Sequence, residues 1–102
     1  MEDSIENKEE IYGRYEDQRK AISRIVSTLD ELRRAHNKMN GKAGGLSCEE
    51  VVDYTIMALK ITRSVTASGE SEVDSYLDLA NYARLICRAR TGEDIIEALR
   101  RL

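Results

Sequence analysis

Apolar positions recur every seven residues along the first third of the chain. Tyr15, Ile22, Leu29 and His36 form one row, and Ile25, Leu32 and Met39 form the row interleaved with it. Such a repeat keeps one stripe on one side of a helix. It predicts a long helix over 14–39, packed in a bundle or against its own copy. His36 falls at the end of the stripe and reads as a helix-terminal or packed histidine. Residues 1–11 are acidic and polar, either a short helix behind Ser4 or a frayed end, and Tyr12-Gly13 marks a break. An interior Gly costs a helix about 1 kcal/mol relative to Ala. Beyond Met39, three Gly among residues 40–45 predict a flexible loop over 40–46.

Two further helices and a short last one follow from the same reading. Ser47 with Glu50 forms an S-x-x-E start signal, and Val51, Val52, Ile56, Leu59 and Val65 supply the apolar positions of a second helix ending near Ser64. A short turn leads to Ser71, where Asp74 completes a second capping signal for a helix over 71–90. Val73, Tyr76, Leu77, Leu79, Ala80, Ala83, Ile86 and Cys87 give that helix a broad apolar face. Glu72 and Asp74 sit near its start and Arg84, Arg88 and Arg90 near its end, as the helix dipole favours. Thr91-Gly92 ends it, and Thr91 with Asp94 predicts a cap for a short C-terminal helix carrying Ile95, Ile96, Leu99 and Leu102. No stretch alternates like a strand. The expected fold is therefore all-α: one helical domain over 1–102, an antiparallel bundle with a long first helix and a short last one.

Composition narrows the function. The chain has 102 residues, 34% of them charged, with no Pro, Phe or Trp and a net charge of −3. With Tyr as its only aromatic, a monomer of this size has a thin core, which argues for a homo-oligomer. A general DNA or RNA binder is usually basic, and this chain is not. No apolar run reaches a membrane span, and the acidic first residues do not read as a signal peptide, so a cytoplasmic location is expected. Cys48 and Cys87 lie far apart and read as reduced thiols, and one His with two separated Cys gives no zinc set. The loop over 40–45 lacks the phosphate-loop spacing and has no strand before it.

The residues with chemistry to offer fall on the second and third helices. Asp74, Asp78 and Tyr82 follow at i, i+4, i+8, which puts two carboxylates and a phenol on one stripe at the edge of an apolar face. Lys60 and Arg63 share a face one helix earlier. A short turn between the helices brings the two sets together. As an interhelical ion-pair set they would fix register. As a pocket they would hold a phosphorylated ligand or a metal.

Three segments in order carry a resemblance: YGRYEDQRKAISRI, LSCEEVVDYTIMALKITR and DSYLDLANYARL. They are similar to a phage and prophage family of small helical proteins, with its Tyr-Gly, its Lys-x-x-Arg and its D-S-x-x-D-x-A-G-Y segment. The matching positions are Tyr12, Gly13, Lys60, Arg63, Asp74, Ser75, Asp78, Ala80 and Tyr82, with Asn81 where that family has Gly. The family in turn resembles the MazG-like all-α nucleoside triphosphate pyrophosphatases, which bind nucleotide phosphates through Mg²⁺ with paired acids on two helices. This chain has Lys60-x-x-Arg63 where the first acid pair is expected, and Ser75 in place of the leading acid of the second. The resemblance thus implies direct binding of phosphates without a required cofactor. Tyr12, Lys60, Arg63, Asp74, Asp78 and Tyr82 would form the site for a nucleotide or nucleotide-derived signalling molecule, held or sequestered as in an anti-defence role. The alternative it implies is a Mg²⁺-dependent pyrophosphohydrolase with Asp74 and Asp78 as metal ligands and Glu50 and Asp53 as further candidate acids. A purely structural oligomeric protein is the third expectation.

Overall fold

A computed structural model describes residues 14–102. Tyr12 and the break at Gly13, like the short helix behind Ser4, lie outside the described residues. Those described form four α-helices with no strand: α1 (Tyr15–Met39), α2 (Cys48–Thr66), α3 (Glu70–Thr91) and α4 (Ile95–Arg100). The sevenfold apolar repeat thus ends in one continuous helix of 25 residues. The last helix is short, as the spacing after Gly92 requires.

Helix starts follow local chemistry, with two corrections. At α2 the capping box forms in both directions: the Glu50 amide donates to Ser47 Oγ, and the Ser47 amide donates to the Glu50 carboxylate. At α3 the expected Ser71–Asp74 cap does not form. The helix starts one residue earlier, at Glu70, behind Gly69. Gly69 has φ 63° and ψ −133°, which a side chain would resist, and this lets Ala67, Ser68 and Gly69 join α2 to α3. That short connection leaves Ser71 already inside the first turn. At α4 the cap is Asp94, which accepts from the Ile96 amide, rather than Thr91. Thr91 Oγ instead accepts from the Glu93 amide.

Helix α2 is the central element. It packs along α3 and against α1, while α4 rests on the end of α3. The connection from α1 to α2 is fastened to α1: Asn37 Nδ2 donates to the Gly44 carbonyl (2.9 Å) and the Leu46 amide to Asp30 (2.8 Å). The core is small. The buried side chains are those of Ala58, Thr62, Ala67 and Ser75, none larger than Thr, among the described residues. Ile22, Ile25, Leu29, Leu79 and Ile86 are only half-buried. Leu32 and Met39, the outer part of the α1 repeat, are exposed. His36 is exposed too, near Asn40 at the helix end. Both cysteines are free. Among the described residues, no helix is long and apolar enough to cross a membrane.

Candidate functional site

Two polar clusters tie the helices together. The first contains residues anticipated from the sequence. Lys60 Nζ, on α2, donates to Asp78 Oδ2 on α3 at 3.3 Å and lies 5.2 Å from the centre of the Tyr82 ring. Asp78 and Tyr82 are one turn apart on α3, so one cation reaches both (a carboxylate and a π-face). The Lys60 side chain is only 11% exposed, whereas that of Asp78 is 54% exposed. An ammonium has three donors. One meets Asp78, at a distance longer than the roughly 2.7–2.9 Å of a tight charge-assisted bond. Among the described residues this leaves Lys60 with donor capacity in a largely covered position.

The other expected members stand differently. Arg63 lies one turn beyond Lys60 and is half-buried. Asp74, one turn before Asp78, is exposed and makes no ion pair among the described residues. The structure therefore brings Lys60, Asp78 and Tyr82 together and leaves Asp74 outside. No group of three or more His, Cys, Asp or Glu side chains converges as a metal site among the described residues.

The second cluster centres on Glu50, in the first turn of α2. Arg33 of α1 grips its carboxylate with two bonds, of 3.0 and 2.6 Å, and Arg90 of α3 adds a third at 2.8 Å. The other Arg90 nitrogen donates to Tyr54 Oη at 3.1 Å. With the Ser47 amide, the carboxylate accepts from four donors and is 12% exposed. The Arg33 guanidinium, then the Ser47 amide, hold the Glu50 carboxyl well below its ordinary value, at about 2. Glu50 in turn raises Arg33. Three helices thus meet at one carboxylate whose oxygens are fully engaged. A cavity of about 570 Å³ opens beside it, between Asp53 and Arg90.

The sequence pattern does not by itself link Arg33 and Arg90 to Glu50. One signal existed for Arg90: a turn about Gly69 that sets residue 60 opposite 78 sets 50 opposite 88, within one helical turn of residue 90. Nothing in the local pattern marked Arg33, whose partner is 17 residues away across the loop. Glu50 and Lys60 lie ten residues apart on one helix, roughly 15 Å at 1.5 Å per residue, so the two clusters are separate. Comparison with family models, with curated proteins and with solved structures gives no match.

Proposed function

We propose that this chain binds a phosphorylated small molecule, a nucleotide or nucleotide-derived signal, without needing a metal. Lys60 carries the reading. It is a mostly covered ammonium with spare donors, set on an aromatic ring and held by one long bond to a half-exposed carboxylate. A phosphate oxygen can take up those donors, and the proposal keeps Arg63, one turn along, as a second cation of the site. The Tyr82 ring offers a face for cation or base. Tyr12 belongs to the proposal through the resemblance alone. So do the MazG-like scaffold, the phage setting and sequestration as an anti-defence device, whereas the antiparallel arrangement is proposed from the short turn and the cytoplasmic location from the composition.

The hydrolase alternative has less support. Both oxygens of Glu50 are taken by two arginines and the Ser47 amide, and Asp78 stands beside the Lys60 ammonium rather than beside a second acid, a poor setting for a hard cation. A structural reading is favoured by one observation: the same Lys60–Asp78 contact bridges α2 and α3 and can simply fix their register.

A thermal-shift panel separates the three. It holds nucleoside triphosphates, cyclic mono- and dinucleotides and inorganic pyrophosphate, each with and without Mg²⁺. A ligand of the folded state raises the melting temperature by mass action. The expected result is a shift without Mg²⁺ and a ligand recovered intact. A shift that needs Mg²⁺ and releases pyrophosphate would replace binding by hydrolysis. No shift across the panel would leave Lys60 and Asp78 a register device.

A further inference from the structure

Helix α3 carries apolar side chains on two opposite sides, and α2 covers only one of them. Ser75, Leu79, Tyr82 and Ile86 follow at spacings of four, three and four residues and are buried or half-buried on the side of Lys60. Glu70, Val73, Leu77, Ala80, Arg84 and Arg88 form the row on the opposite side, and all six are exposed. Val73 is 58% exposed and Leu77 57%, with Tyr76, at 54%, flanking them. A helix apolar on both sides is normally covered on both.

Charge along the row selects the occupant. It begins with the acid Glu70 and ends with the base Arg88, and Arg84 is already engaged by Asp94. Two copies of α3 laid head to tail about a two-fold axis near Leu79 set Glu70 of one against Arg88 of the other, twice. The Val73, Leu77 and Ala80 stripes then meet between them. A two-fold contact must be complementary to itself, and this row is.

We propose that the outward row of α3 is the seat of a second copy of this chain in an isologous dimer. The proposal stands apart from ligand binding at Lys60, which lies on the opposite side of the helix. Sedimentation velocity on the full chain tests it. The wild type is expected at twice the 11.6 kDa chain mass, or as a larger even-numbered assembly. Leu77→Glu is expected to halve the observed mass with the helical circular dichroism retained, since Leu77 touches solvent in the monomer. Glu70→Arg and Arg88→Glu are each expected to weaken association by setting like charges together, and the double variant to restore it. If the two charges served only the helix dipole, the double variant would instead be the worst of the three. A monomeric wild type, an assembly indifferent to Leu77→Glu, or a double variant that fails to recover association would each overturn the proposal.

Discussion

Asp78 and Lys60 can be separated by substitution, because the two side chains play opposite parts if Lys60 serves a ligand. Lys60→Met keeps the apolar stem and removes the charge. It loses a charge-assisted contact to phosphate, about 1.5–3 kcal/mol, or roughly 10- to 150-fold in Kd. Asp78→Asn keeps the shape and removes the competing anion 3.3 Å from Nζ. The carboxylate is 54% exposed, so solvent screens the pair and its worth is about 0.2–1 kcal/mol. Freed of that competitor, Lys60 should bind its ligand about 1.5- to fivefold more tightly. The assay is isothermal titration of the panel compound giving the largest thermal shift, at constant ionic strength, on both variants. Tightening by Asp78→Asn alongside weakening by Lys60→Met is the expected pattern. Equal losses in the two variants, matched by equal losses of melting temperature, would refute the reasoning and leave the pair as a register device.

Two further outcomes concern stability. Gly45 lies against α1, where a methyl group would collide with the Asp30 carboxylate and come within 2.8 Å of Arg34 Nε. Gly45→Ala should therefore cost about 1–3 kcal/mol, a fall of roughly 5–20 °C in melting temperature, and an unchanged melting curve would show that the loop yields freely. The Glu50 carboxyl is held at about 2 in the fold against an ordinary value of 4.5. Its contribution is complete above about pH 4.5 and is lost as pH falls toward 2. Melting temperatures stepped through that window should fall more steeply for the wild type than for Glu50→Gln. The slope should not vanish, because Asp94, held low by Arg84, and Asp30, held low by Arg34 and the Leu46 amide, titrate in the same direction.

Helix positions were set by local chemistry and were legible as such. The sevenfold row marked α1, S-x-x-E marked the start of α2, and Thr91-Gly92 marked the end of α3. Each of these depends on residues within one or two turns of each other, and hydrogen-bond geometry along a helix repeats at that range. The start of α3 differs by one residue because Gly69 makes the turn through its backbone. A capping motif cannot register that, and Ser71 and Asp74 merely had the right spacing. The Lys60–Asp78–Tyr82 contact was legible for a similar reason: a three-residue connection leaves two helices little choice of partners.

What the chain alone determined, then, is everything that acts over a few residues: the helical class, the helix bounds to within a residue or two, and one pairing across a tight turn. Only the tertiary structure decided which of the available charges meet. Arg33 and Arg90 converge on Glu50 because three helices meet there, and Lys60 pairs with Asp78 rather than with Asp74 one turn earlier. It also decided which apolar residues stay uncovered. Leu79 and Leu77 are the same residue type, two positions apart, yet the packing of α2 on one side of α3 half-buries the first and leaves the second in solvent. Periodicity counts apolar residues on a helix, but burial depends on how many neighbours exist to cover them, and that is a property of the assembled bundle.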